Sequence, residues 1–298
     1  MLDFRDIDIT DRDWITQCLK KSDFMGCEYS FANNMAWRRL SDSKITRFKD
    51  FYICGTPFNE QPYFVFPSGS GDYREVIGEL KKFCEDRNKP LILTGVTERQ
   101  LEQLGQLYPD KSFSFEYDED GSDYIYNVSD LAELAGKKYH QKRGHLKKFM
   151  LYNPQYSEIT ESDFDDCIAF SADLYNTKNG IEDRSSVSEQ FAIDTYFRYF
   201  RELDLKGGII RVDGKIVAFT IGEMLNTNTF CVHIEKADTA YNGSFTAINN
   251  EFVKNTVSRF GECRYVNREE DLGIEGLRKA KRSYYPVFML KKHIVTFR

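Results

Sequence analysis

The apolar residues in the first half of the chain recur with two different periods. In residues 72–87 they fall three and four positions apart, and Asp72 precedes Glu75 by three positions. This pattern predicts an amphipathic helix that begins with a capping box. Residues 45–54 and 61–66 are rich in aromatic and β-branched side chains, which predicts two strands. Further helices are predicted at 11–20 and 97–107, and further strands at 91–94 and 112–117.

The second half repeats this order of elements. The pair Asp213-Gly214, which is favoured in type I′ turns, interrupts the apolar run 207–223 and predicts a hairpin. Residues 230–236 add a third strand to an antiparallel meander. Helices are predicted at 164–175, 186–203, 245–257 and 276–282, and strands at 264–267 and 287–296. Both halves thus read helix, meander, helix, strand, helix, strand. This order predicts a mixed α/β (α+β) fold. It matches two successive domains of the Gcn5-related N-acetyltransferase (GNAT) fold, that is, a tandem GNAT-like fold.

Composition limits the class of protein. The chain has 298 residues, a length that suggests about two domains. Of these residues 41% are hydrophobic, which is enough to form a hydrophobic core in each domain. A formal net charge of −6 argues against a general polyanion binder but allows a local basic face. Seven cysteines without a CxxC pair indicate reduced thiols. The N-terminus has no apolar stretch, and no run approaches the roughly 20 apolar residues of a membrane span, so we predict a cytoplasmic protein without an integral membrane segment.

A strongly basic segment lies between the two halves. Its cationic and histidine side chains are Lys137, Lys138, His140, Lys142, Arg143, His145, Lys147 and Lys148. Phosphate contacts from such a segment would be independent of nucleotide sequence, as on a tRNA acceptor stem. The alternative is a solvated inter-domain helix. The predicted organisation is therefore an N-terminal GNAT-like domain over 1–128, a basic inter-domain helix over 129–155, and a C-terminal GNAT-like domain over 156–298.

Four stretches of the chain resemble one family of bacterial proteins. They are CEYSFANNMAWR (27–38), DYIYNVSDLAELAGKKYHQKRGHLKKF (123–149), KADTAYNGSFTAINNEF (236–252) and VNREEDLGIEGLRKAKRSYYP (266–286). Together they look like the C-terminal domain of phosphatidylglycerol lysyltransferase, also known as DUF2156. The resemblance covers nearly the whole chain and implies a tandem GNAT-like fold. It also implies kinship with Fem-type peptidyltransferases, which use aminoacyl-tRNA.

The resemblance further implies a reaction. Family members that are fused to a membrane domain transfer lysine or alanine from aminoacyl-tRNA to a lipid headgroup. We therefore expect an aminoacyltransferase with aminoacyl-tRNA as donor substrate. The acceptor is left open by the sequence and could be a small molecule, a peptide or a lipid headgroup.

Residues 265–286 combine carboxylates, a glycine and a basic helix, and they are the first candidate site. Aminoacyl transfer needs both reactants held close, a proton acceptor and stabilisation of an oxyanion. The candidate catalytic residues are Glu269, Glu270, Asp271 and Tyr284, and the candidate cations beside them are Arg268, Arg278 and Lys281. The carboxylates would bind an ammonium group or act as base, and the tyrosine would protonate the leaving oxygen. The alternative is a solvated loop of surface ion pairs, each worth at most about 1 kcal/mol.

Residues 236–252 are the second candidate site. In a GNAT domain this loop binds the pyrophosphate of coenzyme A through N–H groups at the start of the next helix. Gly243 and Ser244 suit such a loop, with Lys236 and Asn249 beside them, but the (Q/R)xxGx(G/A) pattern is absent. Two alternatives therefore stay open. One is an N-acyltransferase that uses acyl-coenzyme A, and the other is a non-catalytic module that binds tRNA or another anion through Lys142 and Arg143.

Other chemistries have little support in the sequence. The four histidines are not spaced four residues apart as on a metal-binding helix, and no cysteine accompanies them as a ligand set, so no metal site is predicted. The chain also lacks a GxSxG nucleophile motif and a GxxxxGK[ST] phosphate loop.

Overall fold

The computed structural model describes residues 2–56, 60–110, 112–176 and 184–298. By the contacts between residues, the chain divides into two compact units. Unit 1 comprises Met1–Asp123, Glu270–Glu275 and Met289–Arg298, and unit 2 comprises Tyr124–Glu269 and Gly276–Phe288. The C-terminal residues thus belong to the same unit as the N-terminal ones. The basic segment between the sequence halves belongs to unit 2.

The described residues form both α-helices and β-strands. The helices are α1 (Arg12–Ser22), α2 (Phe31–Ser41), α3 (Tyr73–Glu85), α4 (Glu98–Leu107), α5 (Val128–Glu133), α6 (His140–Phe149), α7 (Phe164–Asn176), α8 (Arg184–Arg198), α9 (Ser244–Asn255) and α10 (Glu275–Arg282). The strands are β1 (Lys44–Phe48), β2 (Phe51–Thr56), β3 (Tyr63–Val65), β4 (Ser68–Gly69), β5 (Ile92–Thr97), β6 (Phe113–Asn127), β7 (Gln155–Glu158), β8 (Lys206–Val212), β9 (Lys215–Met224), β10 (Thr229–Ala237), β11 (Tyr265–Asn267) and β12 (Phe288–Phe297).

The sheet of unit 1 is mixed. Strands β1, β2 and β3 form an antiparallel meander in which Ile45 lies opposite Cys54 and Gly55 lies opposite Phe64. The short strand β4 pairs with β2. After α3 the chain returns as β5, which pairs in parallel with β3 and antiparallel with β12.

The sheet of unit 2 follows the same plan. Strands β7, β8, β9 and β10 are antiparallel neighbours, and β11 pairs in parallel with β10 after α9. Strand β11 also pairs antiparallel with residues 125–127 of β6. In each unit an antiparallel meander is followed by a helix and by a strand that lies parallel to the last strand of the meander. The predicted mixed α/β fold with two GNAT-like halves is therefore confirmed.

Local signals explain where two helices of unit 1 begin. The Asp72 carboxylate caps α3 by accepting a hydrogen bond from the backbone N–H of Arg74, at 2.8 Å. Glu75, which was expected to complete a capping box there, instead pairs with the exposed Lys49. At α4 a capping box is present, in which the Gln100 side chain accepts a hydrogen bond from the backbone N–H of Thr97 at 2.7 Å.

The basic segment differs from the single helix expected over 129–155. It contains α5 and α6, and between them Leu134 and Gly136 have φ angles of +48° and +80°. A left-handed residue ends an α-helix, so the chain turns here. Strand β6 is also longer than the predicted strand 112–117, because its acidic middle part gives no apolar alternation that would mark it as a strand.

Each unit has an apolar core of its own. In unit 1, α3 contributes the fully buried Val76, Ile77 and Leu80, which pack in one cluster with residues of β2, β3 and β5. In unit 2, Ile248 of α9 packs with Ile210 of β8 and neighbouring residues. Among the described residues, none of the helices has the length and apolar character needed to cross a membrane.

Truncation of core side chains should destabilise the protein. We expect Leu80→Ala and Ile248→Ala each to lower the free energy of unfolding by about 2–5 kcal/mol, because a cavity replaces a fully packed side chain. Urea denaturation followed by circular dichroism measures this. The control is Leu151→Ala, since Leu151 is 86% exposed, and its change should stay within about 0.5 kcal/mol. Equal effects of Leu80→Ala and Leu151→Ala would contradict the assigned core.

Candidate active site

Buried polar side chains of unit 2 gather where two parallel strands part. Strands β10 and β11 pair only from Thr229 to Cys231, opposite residues 265–267, whereas β10 continues to Ala237. Arg268 and Glu269 directly follow the end of β11. Ligands of α/β proteins commonly bind where the carboxyl ends of neighbouring parallel strands separate. The topology therefore favours this end of β10 and β11 as a binding site.

The first group of side chains, here called the Arg268 cluster, consists of Arg268, Glu235, Asn249, Tyr284 and Lys142. Nη2 of Arg268 donates to Oε1 of Glu235 at 2.7 Å, and Nδ2 of Asn249 donates to the other carboxylate oxygen at 3.1 Å. The Arg268 and Glu235 side chains are only 11% and 13% exposed. Glu235 therefore fixes both the guanidinium and the amide in a largely water-free setting.

Two polar atoms of this cluster lack partners within the described part of the chain. Nη1 of Arg268 and Oδ1 of Asn249 are buried and make no hydrogen bond. An unsatisfied buried polar group costs about 1–3 kcal/mol, and such groups call for a physical explanation. One atom is a donor and the other an acceptor, so together they suit a ligand that carries both an acceptor oxygen and a donor group.

Tyr284 and Lys142 complete the Arg268 cluster. The Tyr284 ring centroid lies 4.8 Å from Cζ of Arg268 and 3.6 Å from Nζ of Lys142. Nζ of Lys142 also donates to Oγ of Ser283 at 2.7 Å. Burial, followed by the charge of Arg268, lowers the pKa of Lys142 to about 8. Burial raises the pKa of Tyr284, so its hydroxyl stays protonated near neutral pH.

The second group, here called the His233 cluster, consists of His233, Glu223, Glu269, Cys231 and Tyr196. Nδ1 of His233 lies 2.8 Å from Oε1 of Glu269, and Nε2 lies 3.2 Å from Oε1 of Glu223. Sγ of Cys231 lies 3.8 Å from the same Glu269 oxygen. The Tyr196 ring stacks on the imidazole, with centroids 5.5 Å apart. The imidazole is thus held on both nitrogens and on one face.

The backbone at Glu269 is strained. This residue has φ = +58°, a left-handed conformation that non-glycine residues rarely adopt. It is held there because its N–H donates to Oδ1 of Asn267 at 2.7 Å and its carbonyl accepts from the N–H of Tyr124 at 3.2 Å. Such conformations cost about 1–3 kcal/mol and concentrate at functional sites. The strain allows the consecutive residues Arg268 and Glu269 to join two different clusters.

Unit 1 contains a third buried polar group, here called the Lys292 cluster, made of Lys292, Asp123, Glu28, Cys27 and Glu270. Nζ of Lys292 lies 2.6 Å from Asp123, 2.5 Å from Glu28 and 3.5 Å from Sγ of Cys27. The Cys27 thiol donates to Glu270 at 3.1 Å. Burial acts to lower the pKa of Lys292, but Asp123 and the other neighbours raise it well above its usual value. This lysine is therefore charged.

Comparison with known proteins places the chain in a family. The model of the phosphatidylglycerol lysyltransferase C-terminal family matches residues 20–296. The chain belongs to this family. A conserved protein of unknown function from Bacteroides thetaiotaomicron is 38% identical over 100% of both chains, with a TM-score of 0.92. The resemblance seen in the sequence is thereby confirmed.

Two more distant structures share the fold of this family member. The C-terminal DUF2156 domain of a candidate lysylphosphatidylglycerol synthetase from Agrobacterium fabrum superposes with a TM-score of 0.69, at 13% identity, and the match covers 96% of this chain and 91% of that one. FemX superposes with a TM-score of 0.64, at 7% identity, and the match covers 99% of this chain and 97% of that one. At these identities the comparisons establish a common fold and nothing finer.

The structure of this family member brings some of the sequence-predicted site residues together. Arg268, Asn249, Tyr284 and Lys142 meet in the Arg268 cluster. The acidic run, in contrast, is divided. Glu269 belongs to the His233 cluster of unit 2, whereas Glu270 belongs to the Lys292 cluster of unit 1.

Three further predicted residues, Asp271, Lys281 and Arg278, do not belong to these clusters. Asp271 is buried in unit 1 and accepts a hydrogen bond from the N–H of Gly273 at 2.9 Å, which closes a turn. Lys281 is buried in unit 2, where its carbonyl accepts from the Tyr126 hydroxyl at 2.8 Å. Arg278 lies half-buried on α10.

The remaining predicted anion-binding residues make internal contacts. Lys236 pairs with Glu189 at 2.6 Å. Ser244 is buried and donates to the Asp238 carbonyl at 2.7 Å. Gly243, with φ = +98°, approaches the backbone carbonyl of His145 so closely that a Cβ would lie 2.5 Å from it. Arg143 donates to the carbonyls of Leu134 and Gly136, at 2.5 and 2.8 Å.

Sequence reasoning missed the His233 cluster and Glu235. The helical spacing of four residues does not apply here, because Cys231 and His233 lie two apart on β10. The expectation that no cysteine accompanies a histidine is therefore wrong for this pair, whose ligand atoms lie within 4.8 Å of each other. The C-x-H spacing within a predicted strand was the available signal, because alternate residues of a strand share a face. The contacts of Glu235 depend on α9 and on the end of β11, which no local pattern reveals.

Removal of the Lys292 charge should destabilise the protein strongly. Lys292→Met would leave the buried Asp123 carboxylate without its cation, so we expect a loss of about 3–5 kcal/mol in the free energy of unfolding. The neighbouring Lys291 is exposed and pairs with Glu98 at 3.4 Å, so Lys291→Met is the matched control, with an expected loss below about 1 kcal/mol. Urea denaturation compares the two variants, and similar losses would refute the buried pairing.

Proposed function

We propose that this protein is an aminoacyltransferase that moves an aminoacyl group from aminoacyl-tRNA to an amine or hydroxyl of an acceptor molecule. Two observations support the proposal. The chain belongs to a family named for a lysyltransferase, and it shares its fold with FemX. The observation that carries it is the buried, unsatisfied pair of Nη1 of Arg268 and Oδ1 of Asn249, which suits a group with both an acceptor oxygen and an ammonium donor.

The Arg268 cluster provides the electrostatic part of such a reaction. The nucleophile of the acceptor attacks the ester carbonyl carbon, a bond from the nucleophile to carbon forms, and the bond from carbon to the tRNA ribose oxygen breaks. Nη1 of Arg268 donates to the carbonyl oxygen as it becomes an oxyanion, which is where a fixed donor has its largest effect. Oδ1 of Asn249 accepts from the α-ammonium group of the aminoacyl donor. Glu235 holds both side chains in place.

Lys142 provides the proton transfer. With a pKa of about 8, a substantial fraction of this amine is neutral at physiological pH and can accept a proton from the nucleophile. The proton then passes to the ribose oxygen, so the tRNA leaves with a free hydroxyl. Tyr284, whose hydroxyl lies 3.3 Å from Oγ1 of Thr246, keeps the lysine against an aromatic face.

The tRNA would bind through the basic segment of unit 2. Its exposed side chains are Lys137, Lys138, His140, Lys147 and Lys148. These groups neutralise phosphates without reading bases, which suits a substrate defined by its aminoacyl end. The acceptor is a small molecule, a peptide or a lipid headgroup that carries the attacking amine or hydroxyl.

The test of this function measures loss of labelled amino acid from total aminoacyl-tRNA in the presence of cell extract. The wild-type protein should release label from tRNA to a new product. We expect Arg268→Gln to slow this about 10²–10³-fold, because it removes the oxyanion donor. The control Arg264→Gln alters an exposed arginine four residues away and should keep wild-type activity.

Three results would contradict the proposal. An Arg268→Gln protein that is folded and as active as wild type would exclude the assigned role. Tight binding of coenzyme A by calorimetry, without release of label from tRNA, would favour an acyl-coenzyme A N-acyltransferase. A protein that binds tRNA through Lys142 and Arg143 and leaves the ester intact would be a non-catalytic binding module.

The rate of transfer should depend on the ionisation of Lys142. Initial rates measured between pH 6 and 9.5, corrected for spontaneous ester hydrolysis, should rise with pH, reach half of their maximum near the pKa of about 8 and level off above it, because only the neutral amine accepts a proton. Lys142→Arg keeps the positive charge but cannot lose a proton, so we expect a loss of about 10²–10⁴-fold. An unchanged pH profile in Lys142→Arg would show that the residue contributes charge and not base catalysis.

A further inference from the structure

The His233 cluster contains three donor atoms that no step of the proposed transfer uses. Sγ of Cys231, Nδ1 of His233 and Oε1 of Glu269 all lie within 4.8 Å of one another. We propose that these three side chains bind a divalent transition-metal ion of the zinc type. The inference concerns unit 2 alone and stands apart from the proposed transfer reaction.

The backbone brings the three donors together. Cys231 and His233 lie on β10, whose register against β9 shifts between Val232 and Ile234. The bulge at this point leaves His233 beside Cys231, with their ligand atoms within 4.8 Å of each other. Glu269 reaches the same place from the strained turn after β11. Two adjacent strands and one unusual backbone conformation therefore converge on one point.

The distances suit a small ion after slight adjustment. Zinc binds sulfur at about 2.3 Å and nitrogen or oxygen at about 2.0–2.2 Å, so tetrahedral ligand atoms lie about 3–4 Å apart. In the cluster, Nδ1 of His233 lies 2.8 Å from Oε1 of Glu269, and Sγ of Cys231 lies 3.8 Å from that oxygen. Binding one ion would require Nδ1 of His233 and Oε1 of Glu269 to move apart by about 0.5 Å, whereas Sγ of Cys231 already lies at a suitable distance from that oxygen and within 4.8 Å of the histidine ligand atom.

Glu223 supplies the outer support that metal-bound histidines usually have. Its carboxylate lies 3.2 Å from Nε2 of His233. The other ring nitrogen, Nδ1, contacts Glu269, so Glu223 lies on the side of the ring away from the proposed ligands Cys231 and Glu269. A proton on Nε2 shared with Glu223 leaves the lone pair of Nδ1 for a metal. Tyr196 stacks on the ring with an interplanar angle of 9° and fixes its plane.

The donor set selects the class of metal. A thiolate and an imidazole favour zinc and similar transition metals, whereas calcium and magnesium prefer oxygen ligands alone. Three protein ligands leave one tetrahedral position for water or another molecule, and the Glu269 and Glu223 side chains are each 17% exposed, so solvent reaches the cluster.

A second cluster with similar donors shows why the first is preferred. Cys27, Glu28 and Asp123 of unit 1 also bring three donor atoms together. There, however, the ammonium group of Lys292 lies within 2.5–3.5 Å of all three. The protein's own cation occupies that position, so we propose no metal in unit 1.

Metal content tests the proposal. The full-length protein is incubated with Zn²⁺, freed of excess metal by gel filtration and analysed by elemental mass spectrometry. We expect about one zinc per wild-type chain, and a loss of at least tenfold in the retained zinc for both Cys231→Ser and His233→Gln. Glu223→Gln should weaken zinc affinity about 10–100-fold in a competition titration with a chelator. Cys263→Ser changes a half-buried cysteine of the same unit and should retain wild-type zinc.

Cobalt substitution gives a second, independent measurement. Co²⁺ bound to the wild-type protein should show a thiolate-to-cobalt charge-transfer band that Cys231→Ser lacks. Circular dichroism establishes that each variant is folded. If Cys231→Ser or His233→Gln unfolds, the test relies on the zinc affinity of Glu223→Gln and on the cobalt charge-transfer band of the wild-type protein. Absence of stoichiometric zinc, or equal zinc binding by wild type and Cys231→Ser, would overturn the proposal. None of these readouts uses aminoacyl transfer, so the outcome is separate from that of the proposed function.

Discussion

The buried ion pair between Arg268 and Glu235 is the interaction on which the candidate active site depends. Removing two charges from water is costly, and the cost is offset only when the remaining polar atoms are also satisfied. Glu235 meets this condition by accepting from both Arg268 and Asn249, whereas Arg268 and Asn249 each keep one buried atom without a partner. The fold therefore keeps an incomplete hydrogen-bond network at the place where its two parallel strands separate, and a bound reactant can complete it.

The same topology serves different purposes in the two units. In each, a meander ends in a strand that pairs in parallel with the strand after the next helix. In unit 1 the helix between them is packed by an apolar cluster that includes Leu80. In unit 2 the corresponding helix, α9, places the polar Asn249 on its buried face. The buried face of this helix is thus apolar throughout in unit 1, whereas in unit 2 it combines core residues such as Ile248 with a polar residue of the candidate site.

Much of the architecture was readable from sequence, because helix periodicity, turn residues and the order of elements are local signals. The limits are equally physical. Strand β6 is rich in Asp and Glu, so no apolar alternation marks its middle, and the basic run conceals a break at Leu134 that requires a left-handed residue. The run Arg268, Glu269, Glu270, Asp271 is contiguous in sequence, but its members join separate clusters. The types of residue in the sequence indicated Arg268, Tyr284 and Lys142 as candidates for a site. Their partner Glu235 could not be found in this way, because it meets them only through the pairing of strands that are distant in the sequence.

The left-handed peptide at Glu269 has a consequence for how this protein can change. A glycine at this position would adopt the same backbone without the strain of about 1–3 kcal/mol, but it would also remove the carboxylate that contacts His233. Relief of the backbone strain and retention of this carboxylate therefore exclude each other at one residue. Because one peptide bond joins Arg268 to Glu269, a change in the backbone here would move side chains of both clusters.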